Sequence, residues 1–240
     1  MARRMGDPDL LILALNGAFH QTFRHGGLAE REQIGRELLE LSGPRVTVEA
    51  LGHLILMLSA TSRADFTEAD AHASEALRLA ESYDMPISKA AVSFYRGLRA
   101  GMAGDDRGAD AHLRAGAELA GRLGMWQHEV GLLALAKYGL HLMRGDLTPM
   151  LPELAALAAH ESWRDQSAEL YALALCHAGR VIEARQWAGQ HPLPIRPDYF
   201  WHLLTAVRGL LGVALGDTAR VERAYRALLP YAESRRISGA

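Results

Sequence analysis

Apolar positions recur along this chain at the three-to-four-residue spacing that builds one face of an α-helix, not at the alternation of a half-buried strand. Ala69, Ala73, Ala76, Leu77 and Ala80 share one such face, with Asp70, Ser74, Arg78 and Glu81 opposite them. No run of alternating β-branched residues interrupts the pattern. It predicts twelve helices, over 8–24, 28–41, 46–61, 66–83, 87–102, 106–123, 126–144, 149–160, 165–178, 180–189, 198–215 and 218–234, paired as six hairpins. The expected fold class is therefore all-α.

Local punctuation agrees with these boundaries. Asp7-Pro8 places an N-cap and a first-turn proline ahead of the first helix, and Asp65-Phe66-Thr67-Glu68 reads as a capping box. Thr148-Pro149 and Pro197-Asp198 open later helices. His191-Pro192-Leu193-Pro194-Ile195-Arg196-Pro197 holds three prolines and is expected to be a rigid connector within the last hairpins. Gly17, Gly52, Gly97, Gly131, Gly139, Gly209 and Gly212 fall inside helices. Each costs about 1 kcal/mol relative to Ala, so they are expected where helices approach closely.

The corners themselves repeat. They stand at Gly26, Ala64-Asp65, Gly104-Asp105, Gly145-Asp146, Ala178-Gly179 and Gly216-Asp217, with gaps of 34 to 41 residues. Two units align without a gap at an offset of 40: Asp65, Ala69, Asp70, Ala71, His72, Leu79, Ala80 and Met85 match Asp105, Ala109, Asp110, Ala111, His112, Leu119, Ala120 and Met125. That period is the length of a tetratricopeptide-like helix–turn–helix unit. Residues 1–240 are thus expected to form a single repeat domain, stacked as a right-handed superhelix with one continuous core.

Composition narrows the class further. Of 240 residues 49% are hydrophobic, which excludes a disordered chain. The net charge is −2, so no overall field draws the chain to nucleic acid or to a membrane surface. Ala (40) and Leu (38) dominate, and 24 of the 26 basic side chains are arginine, as in a protein from a GC-rich genome. A lone Cys176 in an apolar helical run cannot form an internal disulfide and reads as a small buried hydrophobe. The apolar stretch Leu10 to Leu15 is too short for a span and follows an acidic pair unlike a signal peptide, so a cytoplasmic, membrane-free protein is expected.

Catalytic signatures are missing. There is no phosphate loop, no Gly-x-Gly-x-x-Gly after a strand, no Gly-x-Ser-x-Gly elbow and no His-Glu-x-x-His. His128-Glu129 and His160-Glu161 begin like zinc helices, but Leu132 and Arg164 stand where the second histidine belongs. Eleven histidines are dispersed without an i, i+4 pair, so neither enzyme activity, nor a metal, nor a cofactor is expected. The recurrence of His72 and His112 reads as a structural place in the repeat. Arg220, Arg223 and Arg226 share a helix face that Glu222 interrupts, a solvated face rather than a nucleic-acid site.

The candidate site lies on the first helices of the hairpins, which line the concave wall of such stacks. They carry His53; Phe94, Tyr95, Arg96 and Arg99; Trp126, His128, Glu129, Tyr138 and His141; and Tyr199, Phe200, Trp201, His202 and Arg208. The ten residues taken as the groove are His53, Tyr95, Arg96, Arg99, Trp126, Glu129, Tyr138, Trp201, His202 and Arg208. Aromatic rings flanked by arginines suit an anionic or aromatic ligand, or a partner peptide, and equally suit packing between repeats. Arg96 and Arg99 stand out because a guanidinium in a mainly apolar helix needs a partner.

Several phrases resemble a known family. They are Gly6-Asp7-Pro8-Asp9-Leu10-Leu11 with Ala14-Leu15-Asn16-Gly17, Gln21-Thr22-Phe23-Arg24, Gly27-Leu28-Ala29-Glu30-Arg31 with Ile34-Gly35-Arg36-Glu37-Leu38-Leu39, Phe94-Tyr95-Arg96, and Leu123-Gly124-Met125-Trp126. Gly131-Leu132-Leu133-Ala134-Leu135, Ile195-Arg196-Pro197-Asp198-Tyr199-Phe200-Trp201 and Tyr225-Arg226-Ala227-Leu228-Leu229-Pro230-Tyr231-Ala232 continue the likeness over nearly the whole chain. The wording is similar to the C-terminal tetratricopeptide-like region of the large SARP, AfsR-like, transcriptional activators of actinobacteria. The resemblance implies a regulatory or sensor domain in control of antibiotic biosynthesis, one part of a larger regulator. It would bind a small-molecule effector or other domains of the parent protein, without touching DNA itself. The competing expectation is a scaffold that mediates homo-oligomerisation or autoinhibition with no small ligand.

The repeat reading makes a prediction about size. A compact globule of 240 residues has a radius of gyration near 18 Å, by the usual scaling. Stacked hairpins are expected to exceed that in small-angle scattering, and a value at or below it counts against the superhelix.

Overall fold

The structure, a computed structural model, describes residues 6–23, 26–123, 129–160, 163–190 and 200–237. Among them are twelve α-helices and no strand, so the protein is all-α. The helices are α1 (Pro8–Gln21), α2 (Leu28–Ser42), α3 (Val46–Arg63), α4 (Phe66–Ser82), α5 (Pro86–Met102), α6 (Asp106–Arg122), α7 (Glu129–Arg144), α8 (Leu151–Ala159), α9 (Arg164–His177), α10 (Val181–Gln190), α11 (Trp201–Leu215) and α12 (Thr218–Ile237). A single 3₁₀ turn, Thr148–Met150, leads into α8 at the expected Thr148-Pro149. The expected proline connector 191–197 lies outside the described residues.

The corners explain why the chain turns where it does. Ala64, Gly104, Gly145, Gly179 and Gly216 all adopt the left-handed conformation, with φ from 61° to 79°. At each, two backbone bonds close the preceding helix. The Ala64 amide donates to Thr61 O and the Asp65 amide to Ala60 O, and the pairs at 104/105, 145/146, 179/180 and 216/217 repeat this geometry. These are Schellman closures, which satisfy carbonyls that a helix end leaves bare. At four of the five, the next residue is an aspartate whose carboxylate accepts from an amide of the following turn. Asp65 takes Glu68 N at 3.1 Å, Asp105 takes Gly108 N at 2.9 Å, Asp146 takes Thr148 N at 2.9 Å and Asp217 takes Arg220 N at 2.9 Å. One dipeptide therefore ends one helix and starts the next. Each aspartate cap contributes about 1 kcal/mol.

The chain divides into two compact units, Met1–Glu129 and Val130–Ala240. In the first, each helix from α1 to α5 contacts its successor, and α3 also reaches past α4 to touch α5. The offset of 40 read from the sequence is structural: α3 and α5 begin at Val46 and Pro86, and α4 and α6 span Phe66–Ser82 and Asp106–Arg122. Two clusters fill this unit. Leu15, Phe19, Ile34, Leu38, Val48 and Ile55 join α1, α2 and α3. Leu54, Met57, Ala60, Ala69, Ala73, Ala76, Val92 and Tyr95 join α3, α4 and α5. The α4 face expected to be apolar is buried at Ala69, Ala73, Ala76 and Ala80, with Leu79 as its large residue and Leu77 only partly covered.

In the second unit α9 is central, contacting α8, α10 and, past α10, α11. Its core gathers Tyr138, Leu147, Met150, Leu154, Leu170, Leu173, Leu175, Val207 and Leu211. Cys176 is partly covered there, and burial pushes its thiol pKa up, as suits an inert hydrophobe. Close approach accounts for some helical glycines but not all. A Cβ at Gly52 would meet Leu39 at 2.7 Å, at Gly97 Leu113 at 2.6 Å, and at Gly212 Val221 at 2.9 Å. Gly17 and Gly139 meet nothing within 4 Å among the described residues, so crowding does not explain them.

Ala64 is the one corner of the five without a glycine, held at φ 61°. A left-handed L-residue costs roughly 1–2 kcal/mol, partly offset by the extra unfolded-state freedom of glycine. Ala64→Gly is expected to stabilise the protein by about 1 kcal/mol in urea unfolding, and Gly104→Ala to destabilise it by a similar amount.

Candidate functional site

The sequence-selected residues that the structure describes fall into clusters within each unit. The first is built by α4, α5 and α6. Tyr95, Arg96 and Arg99 sit at i, i+1 and i+4 on α5, so the first and last lie one turn apart facing α4. There Asp70 receives them: the Tyr95 hydroxyl donates to Oδ1 at 2.5 Å, and Arg99 donates through Nε at 3.0 Å and Nη2 at 2.9 Å. The Arg99 guanidinium also lies over the Phe66 ring, 4.8 Å from its centroid. Hydrogen bonding from Arg99, reinforced by Tyr95, holds the Asp70 carboxyl below its usual pKa. Burial, together with the bond to Asp70, drives the Tyr95 phenol well above its usual value, so it stays a neutral donor. Asp70, Ala73, Ser74, Tyr95, Arg96, Arg99 and His112 line a cavity of about 340 Å³. Arg96 is exposed on its wall and makes no hydrogen bond or ion pair among the described residues.

The second cluster joins α3 to α4. His53 Nδ1 lies 2.9 Å from His72 Nδ1, and His72 Nε2 is 3.8 Å from Glu68. Two facing ring nitrogens can share only one proton, so the pair requires at least one neutral imidazole. Burial lowers both pKa values; His72 lowers that of His53 further, and Glu68 partly opposes the shift of His72. Arg63 completes the surround by pairing with Glu32 and Glu68.

Arg208 belongs to a third arrangement, in the second unit. Its Nε stands 2.9 Å from both oxygens of Glu169, whose Oε1 also accepts from Arg220 Nη1 at 3.1 Å. Glu169 is 7% exposed, so one buried carboxylate ties α9 to α11 and α12. Arg208 thus reads as a clamp between helices. Trp201 and His202 stand at the start of α11 against Tyr231 of α12, with ring centroids 5.2 Å and 4.2 Å from it. Tyr138 is wholly buried in the second core, and its hydroxyl has no hydrogen-bond partner among the described residues. Trp126, His128 and Tyr199 lie outside the described residues, as does the side chain of Glu129.

Sequence reasoning missed Asp70, His112, Glu169, Arg220 and Tyr231 as site or clamp residues, and took His72 only as a repeat feature. Asp70 and His72 carried a signal, since both recur at the offset of 40. The repeat does not preserve their partners. His72 faces His53, but the residue 40 after His53 is Ser93, whose hydroxyl donates to Lys89 O, and His112 is left facing the cavity. Asp110 pairs instead with Arg114 on its own helix at 2.7 Å. No group of three or more His, Cys, Asp or Glu is placed to hold a metal among the described residues, and none of their helices is long and apolar enough to cross a membrane. No protein-family model matches this chain, and neither a curated protein nor a solved structure does.

Two predictions follow from these pairs. Glu169→Gln removes the buried charge that Arg208 and Arg220 share and is expected to cost about 3 kcal/mol of unfolding free energy, against about 1 kcal/mol for Asp70→Asn at its half-exposed site. The histidine pair gives an acid-side signature. Because both folded pKa values lie below the unfolded 6.5, their contribution is complete above that pH and is lost as pH falls through the folded values. Stability measured by unfolding from pH 7.5 to 5 is expected to fall on acidification, and less steeply in His72→Asn.

Proposed function

We propose that this chain is a non-catalytic, cytoplasmic repeat domain of the tetratricopeptide-like type, serving as the regulatory part of a SARP-type activator of antibiotic biosynthesis. In this reading it takes a small effector, or another domain of its parent protein, in the α4–α5–α6 groove. Binding shifts the regulator through different affinities for its two states. Support for the repeat class comes from the hairpin pairs in register at 40 residues and from the contacts of α3 with α5 and of α9 with α11. The family reading rests on the sequence phrases alone.

The observation that carries the binding role is Arg96. Arg99, one turn away, is neutralised by Asp70, whereas Arg96 presents its guanidinium on a cavity of about 340 Å³ with no counter-ion among the described residues. Calorimetric and chemical-shift titration of the purified chain against pathway metabolites, and against the other domains of its parent, tests the proposal. Saturable perturbation centred on residues 70–74, 95–99 and 112 is expected. Binding that maps elsewhere, or none to any of them, removes it.

A second reading is a scaffold that oligomerises or holds the parent inactive without a small ligand. It is favoured by apolar residues left uncovered, Leu13 on α1 and Val213 on α11, each 68% exposed. A molecular weight by light scattering that rises with concentration, and falls back to the monomer value in Leu13→Glu or Val213→Glu, is the outcome expected of this alternative.

A further inference from the structure

The α4–α5–α6 cavity is unbalanced in its hydrogen-bonding chemistry, and that imbalance names a ligand class. Its one carboxylate, Asp70, is already engaged: Oδ1 accepts from the Tyr95 hydroxyl and Arg99 Nε, and Oδ2 from Arg99 Nη2. The Ser74 hydroxyl donates to Asp70 O, back into its own helix. What faces the opening is therefore mostly donors. Arg96 offers its whole guanidinium, Arg99 retains Nη1 free of any bond among the described residues, and the His112 ring has no partner there either. The nearest acid on α6 by sequence, Asp110, is held by Arg114 on that helix.

Charge points the same way. Asp70 cancels Arg99, which leaves Arg96 as one uncompensated positive charge at i, i+3 from another arginine on the same helix face. An anion bridging the two guanidinium groups offsets what repulsion remains between them. A guanidinium fork matches a carboxylate or phosphate through two parallel hydrogen bonds, so geometry and charge select the same partner. The Tyr95–Asp70–Arg99 arrangement acts as the support: it fixes Arg99 and the α4–α5 spacing, so that little ordering remains when a ligand arrives. A volume of about 340 Å³ lies at the lower end of the range for small-molecule pockets.

We propose that this cavity is an anion site, in which Arg96, Arg99 Nη1 and His112 hold the carboxylate or phosphate of a small ligand. The inference rests on the binding role given above and adds the ligand's chemistry. The test uses the full chain at fixed ionic strength, with arginine Nε–H and backbone amides followed by NMR. Benzoate and phenyl phosphate are the probes, benzamide the uncharged control, and an acetylated tetraglutamate the peptide control. Saturable shifts at residues 70–74, 95–99 and 112 are expected with benzoate or phenyl phosphate, their relative affinities showing which anion is preferred. Benzamide is expected to bind at least tenfold more weakly. R96Q, at an exposed position, is expected to keep the wild-type circular dichroism and lose tenfold or more in affinity. Benzamide binding as well as benzoate overturns the anion assignment while leaving a binding role. Saturation by tetraglutamate alone replaces the small ligand with an acidic segment and favours the partner-domain form of that role. Equal shifts at Arg78, Arg114 and Arg226, unchanged affinity in R96Q, or no response to any probe, all overturn it.

Discussion

Everything in this fold hangs on a two-residue corner in which a left-handed residue closes one helix and the next residue caps the following one. Helix ends leave four donors or four acceptors without partners, and twelve helices multiply that liability. Five ends are closed through the same pair of backbone bonds, and at four of them an aspartate accepts from an amide of the next turn, which meets part of that need within two residues. Short corners leave successive helices no choice but to pack on each other. They also set the register: Ala64-Asp65 and Gly104-Asp105 are forty residues apart, so the helices that follow start in phase.

With spacing set by the corners, small residues decide how near the helices come. Alanines at 60, 69, 73 and 76 bring α3 and α4 close together, and Gly97 lets Leu113 of α6 lie against α5. This closeness makes room for cross-helix polar contacts of definite geometry. Asp70 reaches Tyr95 and Arg99, His53 reaches His72, and Glu169 draws in Arg208 and Arg220. The last is buried and acts as a clamp, because an unpaired charge there would cost several kcal/mol. Asp70 is half exposed, so it organises a cavity wall more than it stabilises the protein.

The abundance of arginine reads differently once contacts are known. Composition alone does not say where the arginines sit. Arg31 is 7% exposed and donates to the hydroxyl and carbonyl of Thr22 while lying 4.2 Å from the Phe23 ring, holding the end of α1 to α2. Arg185 donates to Leu215 O at the end of α11. Arg36, Arg78, Arg114 and Arg226 instead pair along their own helices, as solvated faces do. Arg96 is exposed, lines the cavity and pairs with no acid among the described residues, and the binding role proposed for the cavity turns on it.

Helix positions, corners and the forty-residue period were legible in the sequence, because each depends on residues within a few positions of one another: a glycine that accepts positive φ, an aspartate that caps, alanines spaced by a turn. The expected boundaries at 46, 66, 106 and 218 are the observed ones for that reason. The sites were legible only in part. Tyr95, Arg96 and Arg99 announced themselves as polar groups on an apolar helix, whereas Tyr138, drawn from the same reasoning, is closed within a core. Repetition could not separate His72 from His112 or Asp70 from Asp110, since the difference lies in the neighbouring helix: a histidine at 53 where the next unit has Ser93, and an arginine fork reaching back from α5. Only tertiary packing decides which of two identical side chains meets a partner and which is left facing an open cavity, because that depends on atoms far apart in the chain and near in space.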